Sequence, residues 1–309
     1  MTEERYGIRV WIAYAVVSVV WGSTYLAIRV GVVEMPPFWM AGVRLVTAGV
    51  ILLAIALASG RRLPREASAW GWLVLTGVLI LGFALGGMFW AEQHLESGLA
   101  ALLACVSPIL MALYGSLGPR GERLTPRIVI GLLIGLAGVA ILVDPGWAHM
   151  DGAVPYVAVG VILAGSNAWS GGSVLAKRKL TAVSPLLSSA IHSLAGGIFL
   201  LLVDLVLRGG SIPAAPGRAW VALAYLTLFG SVIAYSAYLY LVTHMAPARA
   251  GTYTYINPVI AVLLGTLILN EAITWRIVLG GVVILGGLAL VRRARLRPRG
   301  ALLVEEPAA

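Results

Sequence analysis

Apolar residues run along this chain in long unbroken stretches, separated by short clusters of charges, prolines and turn residues. Strand-like alternation is absent, and the apolar positions continue around the whole helical circumference instead of forming one stripe. Ten such segments are expected, at residues 10–32, 37–58, 70–91, 96–117, 127–143, 154–176, 185–207, 219–241, 248–269 and 275–292. A helix needs roughly 17–25 apolar residues to cross the hydrocarbon of a bilayer. Continuous runs of that size favour helices over the alternating strands of a barrel. The pattern therefore predicts an all-α polytopic membrane protein with ten transmembrane helices. The run after Arg9 is too long for a signal-peptide core and reads as a retained first helix.

Composition agrees with this pattern. Of 309 residues, 60% are hydrophobic and 11% charged. Soluble domains carry about 25% charged residues, so a water-covered surface is excluded. The scarce charge is sorted: 17 of the 22 Lys and Arg fall in the N-terminal segment, the loops after spans 2, 4, 6 and 8, and the tail. By the positive-inside rule both termini are expected in the cytoplasm. The tail, residues 293–309, is basic and then acidic, and its arginines read as orientation and lipid contact instead of a nucleic-acid arm. The single Cys105 excludes an internal disulfide and a thiol cluster, so neither metal nor cofactor is expected.

The second half of the chain repeats the first at a spacing near 150. Residues 122–142 and 271–291 share nine of twenty-one positions, among them Glu122/Glu271, Thr125/Thr274 and Arg127/Arg276. Further matches are Ser107-Pro108 with Asn257-Pro258, His94 with His244, Arg44 with His192, and Trp21 with Trp169. Residues 10–143 and 154–292 thus form two repeats of five spans. Because five is odd, the second enters the membrane upside down. Inverted repeats around a midplane site are the architecture of secondary transporters that expose the site to one side and then the other.

The stretch Trp21 to Arg29, followed by Pro36-Pro37 and Met40 to Arg44, resembles the EamA family of the drug/metabolite transporter superfamily. Trp90 to His94, Ser97 to Leu103, Pro108, Leu117 to Glu122, Tyr255 to Pro258 and Asn270-Glu271 extend the resemblance over nearly the whole chain. It implies ten helices in two inverted EamA repeats, a multi-pass inner-membrane location, and export of small metabolites such as amino acids or of toxic compounds. The Gly118 to Gly121 stretch before Glu122 departs from the smoother helix end usual in the family.

Few polar and aromatic residues remain inside the spans, and each has a packing reading beside a functional one. Trp21 and Trp169 are mid-span tryptophans with small neighbours, Ser23 among them, that leave room for an organic ligand or for a close helix. Ser107 and Asn257 precede mid-span prolines, which free backbone carbonyls and permit a bend or fix a kink. Asn167, Tyr235, Tyr238 and Tyr253 supply further polar and aromatic atoms at similar depths, although neighbouring helical positions diverge by about 100°. Arg44 should face protein or water, because arginine is expensive in lipid, and either attracts an anion or fastens helix ends. His192 and Glu92 are candidates for carrying a proton, against a neutral core histidine and a solvated helix end. Glu122 and Glu271 read as caps or latches.

The expected function is a secondary transporter moving a small-molecule substrate outward, as a monomer or weak dimer in the lipid bilayer. No phosphate-binding loop for ATP is present. A membrane-embedded enzyme acting on lipid-linked substrates, or a channel-like facilitator, stays open as the alternative. No nucleophile and base converge in the sequence, and no filter motif is evident.

Overall fold

A computed structural model describes residues 7–117, 126–142, 153–244 and 253–293, and all regular structure among them is helical. Glu122, the Gly118 to Gly121 departure and the tail beyond Arg293 lie outside the described residues. The helices are α1 (Ile8–Val32), α2 (Pro37–Ala58), α3 (Ala67–Ala91), α4 (Ser97–Gly115), α5 (Pro126–Leu142), α6 (Val154–Lys179), α7 (Pro185–Arg208), α8 (Gly217–Tyr225 continuing to His244), α9 (Tyr253–Leu269) and α10 (Trp275–Arg293). Seven are long and apolar enough to cross a membrane: α1 to α4, α6, α7 and α8. Shorter apolar helices occur in α5, α9 and α10. Together with the relatives reported below, these helices make this a multi-pass membrane protein.

Three departures from the expected uniform spans have local causes. Within α4 the helix Ser97–Ala104 stops and a second, Ser107–Gly115, begins. Pro108 lacks an N–H, and its ring collides with the carbonyl of Ala104 four residues earlier, so the break falls where that clash would arise. In α9, by contrast, the helix runs through Pro258. α3 and α8 each widen into a π-helical stretch, Val78–Leu85 and Leu226–Ile233. These stretches occupy equivalent places in the two repeats, with Gly82 and Gly230 as counterparts.

Helix neighbours follow the same correspondence. α2 packs along α7, and α5 along α10. α1 contacts α9 and α8, while α6 contacts α4 and α3. Exchanging the first five helices for the last five maps this set of contacts onto itself. Small residues permit the closest crossings. A Cβ on Gly138 of α5 would come within 2.9 Å of the Ile284 backbone nitrogen of α10. A Cβ on Gly197 of α7 would lie 2.8 Å from the Val46 nitrogen of α2. Such backbone proximity lets helices gain dispersion contacts where lipid supplies no hydrophobic drive.

Loops 92–96 and 270–274 lie at one end of the bundle, here called the acidic end. Loops 59–66 and 180–184 lie at the other, the basic end.

Candidate functional site

Trp21 stands halfway along α1, and its indole N–H donates to the Gly230 carbonyl at 3.0 Å. Gly230 belongs to the π stretch of α8, where a widened turn offers carbonyls to partners outside the helix. The Trp21 ring lies 5.3 Å from Tyr238 and 5.2 Å from Tyr253, in tilted and edge-on geometry. Tyr238 also meets Tyr253 and Tyr235, each at 6.0 Å. The Tyr235 hydroxyl is hydrogen-bonded to Ser189 of α7. The Asn257 amide, with its nitrogen turned toward them, donates to the carbonyls of Ser18 and Tyr253 at 3.0 and 3.1 Å. Two residues along α1, about 200° around the helix from Trp21, the Ser23 hydroxyl meets the Tyr225 hydroxyl at 2.6 Å.

Trp21, Tyr235, Tyr238, Tyr253 and Asn257 therefore form one cluster where α1, α8 and α9 meet, while Ser23 pairs with Tyr225 outside it. Its polar atoms are largely engaged, so it offers aromatic faces more than open donors. Tyr238 contributes its ring, and its hydroxyl makes no hydrogen bond among the described residues.

Ser107, Asn167 and Trp169 do not join this cluster. Asn167 accepts from the Tyr114 hydroxyl at 2.7 Å and donates to Leu163 O, tying α6 to α4. The Ser107 carbonyl accepts from Ser170 at 2.9 Å, a second tie between the same helices. Trp169 is 37% exposed, on the helical face of α6 that also carries the buried Ile162, Gly165 and Ser166, and it meets none of these rings. These residues occupy the α4–α6 junction, the pseudo-symmetric counterpart of the α1–α9 junction that holds the aromatic rings.

The buried charges extend the site. Arg44 of α2 is 6% exposed and donates through Nε to the Ser231 hydroxyl at 3.0 Å. Its Nη1 is buried without a partner. Trp21 and Arg44 thus hold consecutive residues of one π stretch from two sides. His192, the repeat counterpart of Arg44, lies 2.9 Å through Nε2 from the Thr76 hydroxyl. That hydroxyl donates to Trp72 O at 2.6 Å, so it accepts from an Nε2–H of the histidine.

At the acidic end, Glu92 follows directly on α3 and is fully buried, with neither carboxyl oxygen hydrogen-bonded. Burial, and secondly the charge of Glu271, push its pKa well above the ordinary carboxylate range, against the pull of Arg29 and Arg44. Its backbone carbonyl accepts from Arg29. Burial and Glu271 also raise Glu96. Glu92 is thus buried, where the alternative reading expected a solvated helix end.

Glu271 closes the acidic end. Its carboxylate accepts from Ser97 N at 2.9 Å, Ser97 Oγ at 2.8 Å and Gly98 N at 3.3 Å. A loop of the second repeat thereby caps the first turn of α4, satisfying N–H groups that a helix start leaves open. Asn270, in the left-handed region at φ 57°, turns the chain so that the Glu271 N–H returns to Gly265 O at 3.1 Å. Gln93 donates to Val32 O at 3.0 Å, and Arg218 pairs with Glu34, closing the same end further.

Sequence reasoning missed Gly230, Ser231, Ser189, Tyr225 and Thr76. Gly230 alone had a signal, its repeat counterpart Gly82. Hydroxyls in apolar helices most often bond their own backbone, so the others carried none.

Comparison with known proteins gives a consistent result. The EamA-like transporter family matches twice, over residues 9–144 and 157–293. The chain is 39% identical over 251 residues to the uncharacterized inner membrane transporter YedA of Escherichia coli K12, covering 80% of this chain and 79% of that protein. It is 27% identical to an uncharacterized transporter of Synechocystis, covering 82% and 81%. A solved crystal structure superposes with a TM-score of 0.63 at 23% identity, over 93% of this chain and 98% of the other, which establishes a shared fold.

Proposed function

This chain belongs to the EamA-like transporter family, and from that premise we propose that it is a secondary transporter exporting small organic metabolites, amino acids or related compounds, or drug-like molecules. It works by alternating access between two inverted repeats of five spans in the inner membrane. Both termini face the cytoplasm, so the acidic end is the outer one. The observation that carries this reading is the aromatic cluster around Trp21, enclosed between α1, α8 and α9, beneath an end sealed by Glu271. Rings contacting one another edge-on offer faces to an organic substrate without the charge that would bind water tightly. The exchange of helix contacts between repeats supports two packings of similar energy, which alternating access requires.

In the described conformation the outer end is closed, and substrate reaches the cluster from the cytoplasmic side. Opening the outer end requires Glu271 to leave Ser97 and Gly98, which exposes Glu92 to water. Glu92 then exchanges its proton with the outer solution, because hydration removes the cause of its raised pKa. The groups acting on it are Arg29, Arg44 and Glu271. Glu92 is therefore the residue that links proton movement to the transport cycle.

Reconstitution tests the reading. Purified protein in liposomes should move at least one member of a panel of amino acids and aromatic cations, saturably, with a rate that responds to a pH gradient. Failure of every member to move or to bind removes the proposal.

A further inference from the structure

At the basic end, a groove of about 350 Å³ opens between the α2–α3 loop and the α6–α7 loop. Arg62, Arg65 and Lys179 line it, with Glu66 as the one carboxylate, Trp72 as a wall and Ser184 at the far side. The three cations make no ion pair among the described residues. Glu66 lies 3.4 Å from the Ser68 hydroxyl. Lys179 is held over the Trp72 ring at 5.0 Å. The start of α3 also faces the groove, and no side chain caps its first N–H groups.

The internal repeat provides a comparison within the same molecule. At the acidic end the corresponding loops, α1–α2 and α7–α8, meet with Trp220 in the place of Trp72. There Arg218 pairs with Glu34, and Trp39 closes on Trp220 at 5.6 Å. The acidic-end junction is thus neutralised by a carboxylate of the facing loop. At the basic end the facing loop brings Lys179 to two arginines, so the junction holds like charges with no carboxylate opposite.

We propose that the headgroup of an anionic phospholipid fills this groove and serves as the counterion that joins the two loops. A phosphodiester would accept from Arg62, Arg65 and Lys179 and from the open N–H groups of α3. A lipid is favoured over a soluble phosphate because the groove lies where the apolar helices end. Trp70 and Val74, one turn apart on α3, are exposed beside it and offer a surface to acyl chains. Trp70 donates to Pro64 O at 3.0 Å, which fixes the loop at the height of a membrane interface. Because a lipid would bridge the first repeat to the second, its loss should loosen that junction. The site stands on the membrane placement of the chain alone and is independent of what is transported.

The test is lipid retention by the full-length protein, measured by native mass spectrometry with phosphatidylglycerol and phosphatidylcholine offered together. Unaltered protein should retain phosphatidylglycerol in preference. The triple exchange R62Q/R65Q/K179Q should weaken that preference by about tenfold or more, since it removes all three cations that face the headgroup. Each single exchange should give a graded part of the loss, so the result survives poor folding of the triple variant. The exchange R61Q, outside the groove, should leave retention unchanged. Retention that persists in every groove variant, or falls equally in R61Q, overturns the proposal. Displacement of phosphatidylglycerol by inorganic phosphate would assign the groove to a soluble anion and would overturn it as well.

Discussion

Trp21 is the residue on which most of the site converges, since it contacts two tyrosine rings and donates to Gly230 of the π stretch. Trp21→Phe keeps a ring but leaves the Gly230 carbonyl without its donor, at a cost of about 1 kcal/mol in stability. Trp21→Ala also removes the stacking face. It should weaken substrate binding about tenfold, measured by equilibrium binding, with near-normal expression. At Glu92 the sign follows from burial. Its pKa in the sealed state lies above that of a solvated carboxyl, so the sealed state binds the proton more tightly. That state is therefore favoured below the ordinary carboxylate pKa and loses ground as pH rises from there through the raised value. Glu92→Gln, which mimics the neutral acid, should abolish this pH dependence. Transport rates across a pH series check it, and an unchanged profile would exclude Glu92 as the coupling group. The aromatic cluster was legible in the sequence as tyrosines near a mid-span tryptophan. That Trp169 stands apart from these rings was not, because which helices meet is set by packing that sequence spacing leaves undefined.

At the level of helices, the largest differences from expectation are the break in α4 and the π stretches of α3 and α8. Pro108 and Pro258 occupy equivalent positions, yet only the first interrupts its helix. Proline specifies a missing donor and a clash, while the packing around it decides whether the chain breaks or bends. Widened turns have no residue signature of their own, so the π stretches were hidden inside uniform apolar runs. The Glu271 cap was readable as a loop glutamate of the repeat motif, but its partner across the repeat boundary was not. Glu271→Gln weakens a charge-assisted hold on the start of α4 worth about 1–2 kcal/mol. A change of that size shifts a two-state population about 5–30-fold. The variant should therefore open the acidic end. Labelling of a Leu95→Cys reporter, buried at this end in the closed structure, in a Cys105→Ala background, should become faster; an unaltered labelling rate would mean that the cap does not hold this end.

The molecule as a whole pairs two similar halves whose contents differ. One pseudo-symmetric position holds rings around Trp21, and the other holds the hydrogen-bonded ties Ser107–Ser170 and Tyr114–Asn167. The repeat and the apolar runs made the all-helical membrane fold legible. The difference between the halves was not, because it depends on which equivalent face turns inward. In the proposed cycle, the α1–α8–α9 junction, to which both repeats contribute, supplies the substrate surface, and the α4–α6 junction stays tied. Counterflow in proteoliposomes, comparing the unaltered chain with Trp21→Ala, tests this most directly. Saturable, trans-stimulated exchange of a labelled substrate is expected in the unaltered chain, with a much higher half-saturation concentration in the variant. Flux that is non-saturable, or identical half-saturation in both proteins, would contradict it.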